Sequence, residues 1–84
     1  MRLINIEIIC PSTSRSYDYR IPPLMMSEAV KKRIIEDIRI YEGIEDLFPN
    51  EDDIRLYLEN MSVIGVDVSM EDAGVKNGDK IMLI

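Results

Sequence analysis

Side chains able to do covalent or metal chemistry are scarce in this 84-residue chain: no histidine and one cysteine, Cys10, against 16 carboxylates. A nucleophile needs a neighbouring base, and a transition-metal centre needs several nitrogen or sulfur ligands. One thiol without an imidazole supplies neither. It also admits no internal disulfide and no iron–sulfur ligand set. Cys10 closes an alternating apolar segment and is read as a small core hydrophobe. The carboxylates are densest in "EGIEDLFPNEDD", where Glu42, Glu45, Asp46, Glu51, Asp52 and Asp53 crowd together. That stretch lacks the Asp-x-Asp-x-Asp-Gly spacing of a calcium loop. It reads as a solvated acidic loop anchored by Leu47 or Phe48. The expectation is a protein without catalysis, cofactor or metal.

Charge narrows the partners. The formal net charge is −6, whereas phosphate neutralisation requires clustered Lys and Arg. The densest basic stretch, Lys31, Lys32 and Arg33, is followed by Glu36 and Asp37. Pairs four apart (Glu28 with Lys32, Lys32 with Glu36, Arg33 with Asp37) predict a salt-laced, solvated helix face. Nucleic acid is not an expected partner. No apolar run approaches the roughly 18 residues of a membrane span. The opening "MRLINIEIIC" is interrupted by Asn5 and Glu7 and has no small-residue cleavage site, so it is not read as an export signal. The expected location is the cytoplasm, without direct membrane insertion.

Periodicity supplies the elements. Ile4, Ile6, Ile8 and Cys10 alternate with Leu3, Asn5, Glu7 and Ile9. After the turn "CPSTSRS", Tyr17, Tyr19 and Ile21 alternate with Asp18 and Arg20, and Pro22 ends the strand. These two strands form a hairpin. The period then changes: Val30, Ile34, Ile38 and Tyr41, with Ile35 beside them, make one apolar helical stripe. Ser27 is read as its N-cap, with Glu28 at the positive end of the dipole. Gly43 is read as the residue that stops it, and Met25 or Met26 packs as a staple. In "DIRLYLEN", Ile54, Leu56 and Leu58 alternate with Arg55, Tyr57 and Glu59. A short fourth strand is expected around Val63 and Ile64. A single helical turn in "SMEDAGV" follows, with Met70 and Val75 buried. Asn77, Gly78 and Asp79 form a bend before the closing strand Ile81 to Ile84.

One helix with one apolar stripe buries it on a sheet, and alternating strands bury one face there. The isoleucine-rich first and last strands belong at the centre. The expected fold is therefore α+β, one domain over residues 1–84: a mixed sheet of four or five strands on one main helix, a β-grasp. The arrangement, and "VSMEDAGVKNGDKIMLI" above all, resembles the ubiquitin-like superfamily across the whole chain. With "EDAGVKNGD", a helix ending in Gly43 and a short length, it most resembles the bacterial YukD (EsaB) group. The resemblance implies a small accessory component of type VII secretion in Gram-positive bacteria. Its partner would be a secretion-machinery membrane protein or ATPase. A β-grasp subunit of a multicomponent enzyme such as an oxygenase is the alternative. Ubiquitin and the sulfur carriers act through a flexible Gly-Gly tail, and this sequence stops at Ile84 within its final strand. Covalent modification is thus not expected.

Function is then expected to rest on surface contact. On the sheet face opposite the helix, Tyr57, Met82 and Ile84 would make a small apolar patch, with Arg55 at its edge and Asn5 on the same face. Aromatic, Met and Arg side chains are what interfaces favour. Asp18 and Arg20 charge the outer strand edge, which discourages strand pairing, so a monomer or weak homodimer is expected.

Overall fold

A computed structural model describes residues 2–84. β1 (Ile4–Cys10) and β2 (Arg15–Ile21) form the hairpin. The helix α1 (Ser27–Glu42) follows, then a 3₁₀ turn (Glu51–Asp53), β3 (Leu56–Leu58) and β4 (Lys80–Leu83). The sheet order is β2-β1-β4-β3. β4 lies parallel to β1, with Ile8 opposite Ile81, and antiparallel to β3, with Tyr57 opposite Met82. The isoleucine-rich strands are central, as their composition predicts, and the fold is a ubiquitin-like β-grasp.

Alternation decides which side is covered. Ile4, Ile6, Ile8 and Cys10 of β1, Leu56 of β3, and Ile81 and Leu83 of β4 are buried in one cluster with Val30, Ile34, Ile35 and Ile38 of α1. Met70 and Val75 close the cluster from the segment before β4, and Phe48 closes it from the acidic loop. Tyr41 departs from the expected stripe: it is 71% exposed. Of the two methionines before the helix, Met25 packs on the core and Met26 does not.

Helix ends are set differently at the two termini. Gly43 stops α1 in the left-handed region (φ 71°), where its N–H reaches the carbonyls of Arg39 and Ile40. A side chain there would be strained, so glycine suits the position. Ser27 is not the cap. Met26 occupies that position without a side-chain bond, while buried Ser27 donates its hydroxyl to the Gly65 carbonyl.

The basic run also departs from expectation. Lys31 is 3% exposed, and its ammonium donates to the carbonyls of Ile54 (3.1 Å) and Glu51 (3.4 Å). Its carboxylate partner is Glu28, one turn back at 3.1 Å; the expected pairs through Lys32 and Arg33 do not form among the described residues. Arg39 gathers the acidic loop in the same way. It donates to the carbonyls of Leu47 and Phe48 at 2.7 and 2.9 Å and to the Glu51 carboxylate at 3.2 Å. Phe48 itself sits at φ 60°, a costly conformation for a bulky residue. Its buried ring and the Arg39 bond hold it there.

The fourth expected strand is reduced to one bridge, Tyr57 opposite Val63. The backbone beyond it serves the helix start instead: Val68 accepts from the Ser27 N–H. "SMEDAGV" makes a single turn closed by the Ala73 N–H on the Ser69 carbonyl. At the next bend Gly78 takes φ 91°, and the Asp79 carboxylate accepts the Lys76 N–H.

Candidate interaction face of the sheet

Cross-strand register determines what the uncovered face presents. Ile9 on β1 stands opposite Met82 on β4, Met82 opposite Tyr57 on β3, and Tyr57 opposite Val63. Paired residues share a face, so these four side chains form one apolar row across the sheet. None belongs to the core cluster or packs against it. Val63 is 57% exposed; Ile9, Met82 and Tyr57 are partly exposed.

Two of the expected patch residues flank this row, two positions along the strands from Tyr57 and Met82. Arg55 and Ile84 exchange backbone bonds of 2.9 and 3.1 Å, continuing the β3–β4 ladder. Ile84 is 45% exposed. The Arg55 guanidinium folds back onto the carbonyls of Asp52 and Ile54, so its planar face, more than its charge, borders the patch. On the other side of the row, Asp18, Glu7 and Lys80 stand opposite one another in register and supply a charged rim of both signs.

Asn5 lies elsewhere. It is four residues from Ile9, about 13 Å along the strand. Its groups are engaged in structure. The backbone N–H donates to Asn77 Oδ1, the carbonyl accepts from Gly78, and the side-chain oxygen accepts from Arg20. Asn5 fastens the 77–78 bend to β1 and does not join Tyr57 and Met82. Conversely, Ile9 and Val63 belong to the row but were not legible as members of it. Both are apolar and Ile9 falls on the correct alternation side. Only the parallel β1–β4 register and the bridge to Tyr57 reveal that they align.

The acidic loop does not converge on a point: among the described residues, no three carboxylate or thiol groups gather closely enough to hold a metal ion. No described helix is long and apolar enough to cross a membrane.

No protein-family profile matches the sequence, and no curated protein matches it. Solved structures match its shape. The ubiquitin-like domain of an Arabidopsis thaliana protein superposes with a TM-score of 0.72 at 13% identity, covering 100% of this chain and 78% of that one. The ubiquitin of Caldiarchaeum subterraneum gives 0.72 at 19% identity, covering 99% and 92%. A designed protein based on ubiquitin gives 0.68 at 13%, covering 98% and 87%. At these identities the likeness is one of fold, and that fold is the ubiquitin-like β-grasp.

Proposed function

We propose that this protein is a non-catalytic interaction module that docks on a protein partner through the outward sheet face. The observation that carries the reading is the apolar row Ile9–Met82–Tyr57–Val63, which contributes nothing to the core yet runs unbroken from β1 through β4 and β3 to the bridge at Val63. Its border favours a protein over other occupants. Anionic lipid or nucleic acid would need a field of cations, but Asp18, Glu7, Lys80 and Arg55 offer both signs on a chain of net charge −6. An apolar centre with a mixed charged rim suits a protein surface of the same make-up. The resemblance to YukD-like proteins gives the reading its direction. The partner is then a membrane ATPase or related component of a type VII secretion machine, and the module acts from the cytoplasm as a monomer or weak homodimer.

The test uses the full chain as bait in its native host, wild type beside Met82→Asp and Tyr57→Ala. Recovery of a secretion ATPase by the wild type, and its loss with either variant at unchanged thermal stability, is the expected result. Hot-spot residues of this kind cost about 2 kcal/mol or more on truncation, roughly a thirtyfold loss of affinity. Equal recovery by all three baits removes the face from the interface. Recovery of di-iron oxygenase subunits in place of secretion components replaces the proposed partner.

A further inference from the structure

The solvent side of α1 carries an ordered set of charges that the fold itself leaves unused. At about 100° per residue, Ala29 and Ile40 fall in the middle of the side turned away from the core. Arg33 and Asp37 lie on the flank towards β2, and Lys32 and Glu36 lie on the opposite flank. All six are exposed. The four charged residues join none of the ion pairs among the described residues. Within one helix their order is unfavourable, because a cation four residues before a carboxylate pairs less well than the reverse. Lys32 precedes Glu36, and Arg33 precedes Asp37, in that poorer order. Asp37 does have the Tyr19 phenol beside it. Burial first, and this carboxylate second, push that phenol up to about 12, so it is a neutral neighbour at physiological pH and supplies no counter-charge.

The spacing of these charges is self-complementary. Cations hold the first half of the segment and carboxylates the second, with the midpoint between Ile34 and Ile35. A parallel pairing of two such helices would set like against like. A two-fold axis through the midpoint reverses the second helix and keeps each flank against the same flank of the other copy. With a rise of about 1.5 Å per residue, Arg33 of one copy then stands within about 1.5 Å of the height of Asp37 of the other, and Lys32 matches Glu36 equally well. Each pair occurs twice. At both ends the small Ala29 side chain receives the exposed Ile40 of the other copy.

We propose that this protein pairs with a second copy of itself through the solvent side of α1, the two helices antiparallel, with Arg33 facing Asp37 and Lys32 facing Glu36 across the interface. Charge complementarity selects this occupant, since a surface of either single sign would leave half of these residues facing a like charge. Only Ala29 and Ile40 add apolar area, and exposed ion pairs are weak and screened by salt. The dimer is therefore weak and salt-sensitive. Because α1 covers the inner face of the sheet, the pairing leaves the outward row of each copy open.

The test is sedimentation equilibrium of the full chain up to about 1 mM, the weak end of measurable association, with circular dichroism confirming the fold of each variant. The wild type is expected to dimerise at about 0.1 M salt and to dissociate towards about 1 M, where the Debye length falls from ~10 to ~3 Å. Arg33→Asp and Asp37→Arg each turn two attractive pairs into repulsive ones and should weaken the dimer roughly tenfold. Mixed together, the two variants regain every pair as a heterodimer, and association should return. Arg33→Asp mixed with Glu36→Arg carries the same total charge but mismatches the flanks, and should not recover. Met82→Asp, on the outward face, should leave the dimer unchanged. A monomer at about 1 mM, single reversals without effect, or equal recovery in both mixtures overturns the proposal. So does self-association that Met82→Asp abolishes, or one whose concentration-dependent amide shifts fall along β2 and spare α1.

Discussion

Lys31 and Lys32 are neighbours in sequence, and replacing each with methionine separates a buried ammonium from a solvated one. One residue turns a helix by about 100°, which puts Lys31 beneath the 51–54 segment and leaves Lys32 in water. Lys31→Met keeps the apolar stem and removes the charge. The Ile54 carbonyl then loses a 3.1 Å charged donor, and Glu51 loses a weaker one at 3.4 Å. A hydrogen bond to a charged group is worth about 1.5–3 kcal/mol. The Glu28 pair adds little, because that carboxylate is 36% exposed and screened. The expected loss is about 2–3 kcal/mol, a fall in melting temperature of roughly 8–24 °C for a domain of this size. Lys32→Met should stay within about 0.5 kcal/mol of wild type. Urea unfolding followed by circular dichroism gives both numbers, with an unchanged m-value showing that the unfolded reference is the same. Equal stability of the two variants would mean that the Lys31 ammonium is hydrated and that the 51–54 turn is held by something else.

Three further outcomes follow from the geometry. In an ultraviolet titration, Tyr19 should be the tyrosine that ionises near 12, against its ordinary 10.0, and Tyr19→Phe should delete that component. Its folded-state pKa is raised, so the unfolded chain loses the proton first. The stability it contributes is therefore whole below pH 10 and declines as the pH climbs towards about 12. Gly43→Ala, at φ 71°, should cost about 1 kcal/mol in thermal unfolding. Gly65→Ala should cost less, because Gly65 has no positive φ and an added Cβ would meet only Val68 methyls at 3.9–4.0 Å. Arg39→Ala frees the Leu47 and Phe48 carbonyls and the Glu51 carboxylate together. It should destabilise by about 2–3 kcal/mol and quicken hydrogen exchange in the 44–50 loop before the rest of the chain.

What the sequence disclosed depended on whether a residue's fate was decided by its own type or by its partner's position. β1 was legible because Ile4, Ile6, Ile8 and Cys10 all face one side, and burial of one sheet face enforces a period of two. The helix ending at Gly43 was legible for a similar reason, since a left-handed stop favours glycine wherever the loop goes next. Val63 and Ile64 read as a strand by composition, but a strand also needs a neighbour with free backbone groups. The segment's later carbonyls at Gly65 and Val68 bond Ser27 instead, which leaves a single bridge. Lys31 was misread because charge patterning reports which charges are near in sequence, not which carbonyls wait above the helix. The apolar row was half visible: Tyr57 and Met82 were placed by alternation, whereas Ile9 and Val63 required the register. Asn5 shares their face but lies at the wrong height.

The two flanks of α1 explain why this small domain retains open surface at all. Ser27, Lys31, Ile35 and Arg39 recur every fourth residue, so they form one stripe along the helix. Three of them are polar, and each bonds carbonyls of the chain's own loops, at Gly65, at Glu51 and Ile54, and at Leu47 and Phe48. That flank is consumed in positioning irregular backbone whose carbonyls would otherwise lack donors. Arg33, Asp37 and Tyr41 also recur every fourth residue, along the flank that faces β2. The edge strand β2 lies beside it, with a cleft between Ser16–Tyr19 and Asp37, Ile38 and Tyr41. A chain of this length has limited segment to spend on covering its own surfaces. Having used its loops on one side of the helix, it leaves the β2 cleft and the outward sheet row uncovered. On the outward row, the proposed partner would add contacts without displacing any that the fold already makes.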